Sequence, residues 1–275
     1  MRGIKRRKSG SADRQLQKRT STMAVRQDLP LVHITAVGNA REIVSSGDLE
    51  IRKCRAFQKE LLYFFAVRLA YRLKDGDEKS HQINRFPFVF IVRPDALKTP
   101  YHVYPFDTGA AIKGVFDSQA DPYIPLDDYE LEPTLEAAAR HIKWAFGSLE
   151  DYLEGNLRPD ILDDVPMHET VTRGYVDIAR QARTGSNKPD KRASAVEIAV
   201  NHGVPLKDNV LLAILPKQYL EEDGQPANDD FISLLEQRNV RWDHYDWQPN
   251  KTPNEFQQEI NRVAIRFFKS QGLIR

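Results

Sequence analysis

Polar residues with acid, base and hydrogen-bonding side chains interrupt or border three segments of this chain that are otherwise apolar. Glu197 breaks the run Ala195-Val196-Glu197-Ile198-Ala199-Val200. A carboxylate buried there without a partner is costly, so it either sits at an exposed edge or lines a polar cleft. His33 and Thr35 lie two apart in Leu31-Val32-His33-Ile34-Thr35. In a strand they share one face while Val32 and Ile34 take the other. Arg68 follows directly on the apolar stretch Leu61 to Val67, at the border of a core. Each also has a plain reading: a satisfied structural histidine, a solvent-facing carboxylate and a surface ion pair.

Other reaction types lack their signatures. The sequence has no Gly-rich phosphate loop, no Gly-x-Ser-x-Gly elbow and no His-Glu-x-x-His pair. Its seven histidines, among them His81, His102, His141 and His202, are scattered without metal-ligand spacing, so no metal is expected. Cys54 is the single cysteine, which excludes an intramolecular disulfide and fits a reducing compartment. An inert thiol is favoured over a nucleophile.

The elements that must position these residues follow from hydrophobic periodicity. Leu29 to Ala36 reads as a strand, followed by a helix from Asn39 to Ser46 with Gly47 as its stop. A short strand is expected over Leu49 to Arg52. Leu61 to Val67 and Pro87 to Val92, rich in aromatic and β-branched residues, are the most secure strands. Between them Lys74 to Arg85 is a polar loop. Tyr101 to Phe106 continues the strand series and ends in a turn at Phe106-Asp107-Thr108-Gly109, and Pro133 to Leu153 has helical spacing. A basic loop, Thr184 to Arg192, leads into a strand over Ser194 to Val200. Val210 to Leu215 and Val240 to Tyr245 read as strands, and Thr252 to Ser270 as an amphipathic helix. Strands outnumber strand-helix crossovers, which predicts an α+β fold with a mixed, mostly antiparallel sheet and flanking helices.

The chain has 275 residues and 41% hydrophobic content, enough for a sizeable core. The formal net charge of +1 hides an asymmetry. Arg2, Lys5, Arg6, Arg7, Lys8, Arg14, Lys18 and Arg19 face one acid, Asp13, in the first twenty residues. The expectation is a disordered basic tail over 1–28 and a single domain over 29–275. No apolar run approaches the roughly 20 residues of a membrane span, and none follows the basic N-terminus as in a secretory signal. A cytoplasmic protein without membrane contact is expected.

Taken together, Leu31-Val32-His33-Ile34-Thr35 before a short helix, Leu62-Tyr63-Phe64-Phe65-Ala66-Val67-Arg68-Leu69-Ala70-Tyr71, and Ser194-Ala195-Val196-Glu197-Ile198 resemble the NAD-dependent ADP-ribosyltransferases, nearest to the DarT type. The resemblance implies a catalytic domain with that family's sheet core and NAD as substrate. It implies that His33 and Thr35 bind the cofactor, that Arg68 contacts its phosphates or the target, and that Glu197 is the catalytic carboxylate. Tyr63, Phe65 or Tyr71 could stack on the nicotinamide ring, although core packing also explains these aromatics. Ala195 stands two before Glu197, where protein-modifying members carry Glu or Gln, which argues against modification of protein arginines.

The basic tail and Lys188, Lys191 and Arg192 favour a DNA or RNA acceptor. A solvated tail is the equal alternative, and a protein acceptor or hydrolysis of NAD stays open. Resemblance to toxin-like members would imply a restraining, antitoxin-like partner. The rival from another class is a nucleic-acid-binding module without catalysis.

Overall fold

The computed structural model describes residues 3–25, 28–70, 82–182, 190–222, 225–246 and 253–274. Tyr71, most of the expected 74–85 loop and the 184–189 part of the second loop lie outside the described residues.

In chain order the principal strands are β1 (Leu31–Ala36), β2 (Lys59–Ala66), β3 (Pro87–Val92), β4 (His102–Tyr104), β5 (Glu197–Val200), β6 (Val210–Pro216) and β7 (Trp242–Tyr245). The helices are α1 (Gln15–Thr20), α2 (Val37–Ser46), α3 (Thr108–Ile112), α4 (Leu135–Phe146), α5 (Leu149–Glu154), α6 (Thr170–Ala179), α7 (Asp229–Gln237) and α8 (Pro253–Ser270). Among the described residues helices and antiparallel pairs dominate, with β7 parallel to β6, so the α+β class with a mostly antiparallel sheet is observed. Among the described residues no helix is long and apolar enough to cross a membrane.

The chain divides into two compact units. The first combines Met1–Leu29, Lys53–Ala70 and Lys98–Asn201. Its sheet places β5 between β2 and β4, both antiparallel to it. Central position explains the burial of all four residues of β5. The expected helix over Pro133 to Leu153 is two helices. Gly147 takes φ +81° at the end of α4, and the Ser148 side chain then accepts from Asp151 N to cap α5.

The N-terminal segment bonds to the rest of the first unit. Ile4 N donates to Ala111 O at 2.9 Å, and Leu126 N donates to Lys5 O at 2.8 Å. Arg6 bonds Asp127, Arg7 bonds Asp128, Arg14 bonds Glu130 and Arg19 bonds Glu169. Ile4 and Leu16 are buried, and the Gln15 side chain accepts from Val171 N at 2.9 Å, capping α6. Local composition gave no sign of this, because the acids that fix the segment lie more than a hundred residues away.

α6 was not apparent in the sequence. Thr170, Thr172 and Gly174 lower its intrinsic propensity, and its N-terminal amides are capped by distant Gln15. Gly174 serves packing: a Cβ there would stand 2.9 Å from the Tyr129 hydroxyl oxygen.

The second unit comprises Pro30–Arg52, Tyr71–Leu97 and His202–Arg275. Its strands run β7-β6-β3-β1, with β7 parallel to β6 and the other pairs antiparallel. All six residues of Pro87-Phe88-Val89-Phe90-Ile91-Val92 are buried, as their composition predicts for an interior strand. Gly47 ends α2 with φ +89°, its N–H donating to Ile43 O. From α8, Phe256 packs edge-on against Phe86 with ring centroids 4.8 Å apart.

Candidate active site

Glu197 opens β5 opposite Phe65 of β2 and Tyr104 of β4. Directly paired residues point to one face, and the alternation along strands adds Tyr63, His102 and Ala199 to that face. Glu197 is 3% exposed, which settles the choice posed by the sequence: it is neither at an edge nor facing solvent. Partners offset its desolvation. Thr108 N donates to Oε2 at 3.1 Å and Thr108 Oγ1 donates to Oε1 at 2.6 Å. His102 Nε2 stands 3.3 Å from Oε1.

The turn that supplies Thr108 is fixed by its neighbour. Asp107 is the N-cap of α3, accepting from Ala110 N at 2.8 Å, and its own N–H donates to Arg192 O at 3.1 Å. The four residues 106–109, expected to be a plain turn, are therefore a helix start. Asp107, an N-cap type three and four residues before Ala110 and Ala111, is the signal that could have revealed it. Burial, together with the charge of Glu197, pushes the Asp107 carboxyl up to about 6, against the opposing pull of Arg192. Arg192 is held by Asp190 through bonds of 2.7 and 3.0 Å.

Aromatic rings enclose His102. Phe57 lies 4.4 Å from it between centroids, Tyr104 5.0 Å and Tyr63 5.8 Å. Arg6 in turn places its guanidinium 4.6 Å from the Phe57 ring centre. Tyr63 donates its hydroxyl to Cys54 Sγ at 2.9 Å. Burial first, and the Glu197 charge second, raise the Tyr63 phenol far above its ordinary range.

Arg68 is interior, 1% exposed, where the sequence suggested a border position. Val67 before it has φ +56°, an outlying conformation for a β-branched residue. The Tyr152 hydroxyl braces this bend, donating to Ala66 O and accepting from Val196 N, each at 3.0 Å. Nη1 of Arg68 donates to both the carbonyl and the hydroxyl of Ser194, and the guanidinium lies 5.4 Å from the Tyr152 ring centre. Nε and Nη2 have no hydrogen-bond partner among the described residues. Burial lowers the Arg68 pKa below its ordinary value. Thus the first unit brings Glu197 and Tyr63 to one face, with Arg68 on Ser194, three residues before Glu197. His102, Asp107, Thr108 and Tyr152 join them, none of which the sequence singled out as a site residue.

His33 and Thr35 belong to the second unit. His33 pairs with Phe90 across β1 and β3, and Thr35 pairs with Phe88. Thr35 Oγ1 accepts from Asn39 Nδ2 at 3.3 Å, which ties the strand end to α2. His33 is half-buried, with its ring 6.4 Å from that of Phe90.

No protein-family model and no curated protein matches this chain. Among solved structures it is similar to DarT of Thermus sp. 2.9 in complex with NAD+, at 9% identity and a TM-score of 0.36. The match covers 80% of this chain and 97% of that one. At that score the match carries no weight for the site, whose chemistry follows from its own geometry.

Proposed function

We propose that the chain is an NAD-dependent ADP-ribosyltransferase with Glu197 as its catalytic carboxylate. The observation that carries this reading is the Glu197 side chain: buried, oriented by two donors from Thr108, and flanked by His102. NAD supplies the ADP-ribosyl group, with nicotinamide departing on the electron pair of the broken glycosidic bond. The acceptor forms the new bond to the ribose carbon and loses a proton. Positive charge grows on the ribose as the old bond breaks, and a fixed carboxylate in a dry site stabilises it far more than it would in water. A carboxylate offers about four lone-pair directions. Thr108 takes two, which leaves room for a ribose hydroxyl.

The donor set of Arg68 fits a pyrophosphate, since Nε and Nη2 are without acceptors among the described residues. In this proposal Arg68 holds phosphate, Tyr63 flanks the ribose end, and His33 and Thr35 are cofactor-binding residues carried over from the sequence resemblance.

DNA or RNA is the acceptor class put forward, carried over from the sequence resemblance. Arg6, Arg7, Arg14 and Arg19 are neutralised by acids of the same unit, so they add little to polyanion binding unless those pairs open. The same pairing weakens the non-catalytic rival, which relied on the tail. Incubation with labelled NAD plus DNA, RNA or cell lysate, beside Glu197→Gln, tests the reading. Label on one acceptor class, lost by about 100-fold or more in the variant, is expected. Free nicotinamide without labelled acceptor would reassign the protein to NAD hydrolysis. An inert wild type would remove the reading, and with it any role for an antitoxin-like partner.

A further inference from the structure

We propose that Thr108 is the positioning residue of Glu197, setting the rotation of its carboxylate for the transfer step. This rests on the reading of Glu197 as the catalytic carboxylate. Thr108 donates twice, from its backbone N–H to Oε2 at 3.1 Å and from its hydroxyl to Oε1 at 2.6 Å. Because both donors belong to one residue, they form a rigid fork. Rotating the carboxylate breaks both bonds at once.

Several features make the fork stiff. Thr108 is 2% exposed, and its β-branched side chain restricts χ1, so the hydroxyl direction is set by packing. Its amide belongs to the first turn of a helix, where N–H groups lack intrahelical acceptors, and Glu197 supplies one. Asp107 anchors the same turn from both sides, through its cap on Ala110 N and through its own N–H to Arg192 O. Arg192 lies five positions before Glu197 on the segment entering β5, so the turn and the strand are tied at two points. Any buried carboxylate needs donors, and a donor that served burial alone would affect folding rather than the rate of the bound complex.

Nicotinamide release at varied NAD separates the two roles. Thr108→Val keeps the shape and the N–H but removes the hydroxyl. It is expected to lower kcat by about 100-fold, as a slightly misplaced catalytic group does, while the KM for NAD stays within about 3-fold. Thr108→Ser restores the hydroxyl and is expected to return kcat to within about 10-fold of wild type. If Thr108→Val does not fold, Thr108→Ala takes its place with the same expectation. A wild-type kcat in the hydroxyl-free variant overturns the proposal, as does a loss in Thr108→Ser equal to that in Thr108→Val. Failure of both hydroxyl-free variants to fold, while Thr108→Ser folds, assigns the bond to stability and also overturns it. A wild type that releases no nicotinamide sinks the parent reading and this inference together, whereas full turnover by Thr108→Val in an active background sinks this inference alone.

Discussion

Arg68 donates through one guanidinium nitrogen to both the carbonyl and the hydroxyl of Ser194, three residues before Glu197. A charged group is thereby held in the interior by neutral partners. Desolvation of such a group is expensive, and the two remaining nitrogens have no partner among the described residues to offset it. A side chain of similar length without charge should therefore fold at least as well. Arg68→Met is expected to match or exceed the wild-type Tm, while Arg68→Ala loses about 2–4 kcal/mol through the cavity it leaves. Chemical denaturation of both variants checks this, and in the proposed function both lose turnover.

The Tyr152 hydroxyl bridges two buried backbone groups, Ala66 O and Val196 N, at the bend before Arg68. Tyr152→Phe leaves Val196 N without that acceptor, while Ala66 O keeps the Arg68 N–H. The expected loss is about 1–3 kcal/mol in urea unfolding, above the effect of a surface hydroxyl. A change under about 0.5 kcal/mol would show that the bridge does not brace the bend.

His141 is fully buried in α4, edge-on to Tyr175 at 4.6 Å, and burial pulls its pKa down to about 3. The unfolded chain binds this proton below about 6.5 and the native chain only near 3, so stability falls as pH falls through that window. Between pH 7 and pH 5 the histidine should cost about 2 kcal/mol. Asp107, raised to about 6, acts in the opposite direction as pH drops toward 4, because the native state takes up its proton first. The comparison is therefore made between wild type and His141→Phe. The variant should lose the acid-sensitive component while keeping the Asp107 contribution, and parallel pH profiles would contradict the assignment.

The N-terminal segment is part of its unit's core as well as its charge network. Deleting residues 1–25 removes buried Ile4 and Leu16 along with the ion pairs of Arg6, Arg7, Arg14 and Arg19. A loss of about 3–5 kcal/mol is expected from the apolar part, and it should persist at high salt, which screens only the pairs. A deletion without effect on Tm would restore the sequence expectation of a disordered tail.

Legibility in the sequence followed the range of the interactions. Pro87 to Val92 is a strand with the bounds its composition predicts, and Gly47 ends α2 as read, because both depend on local chemistry. Glu197 stood out as a polar residue in an apolar run. Its partners did not, since Thr108 is 89 positions away and looked like part of a turn. The contacts of the basic segment were not legible for the same reason: Arg6 and Arg7 find Asp127 and Asp128 about 120 positions on. Arg68 was placed too near the surface because nothing local announces the buried environment formed by Tyr152, Gly155 and Ser194.

The most direct test of the central claim is single-turnover release of nicotinamide from NAD by the purified chain, with DNA or RNA present, beside Glu197→Gln. That variant preserves side-chain volume, removes the charge and turns one acceptor oxygen into an NH2 donor. Release by the wild type, slowed by about 100-fold or more in Glu197→Gln at unchanged Tm, is the predicted result. Equal release by the two proteins, or none by the wild type with any acceptor, would contradict the claim.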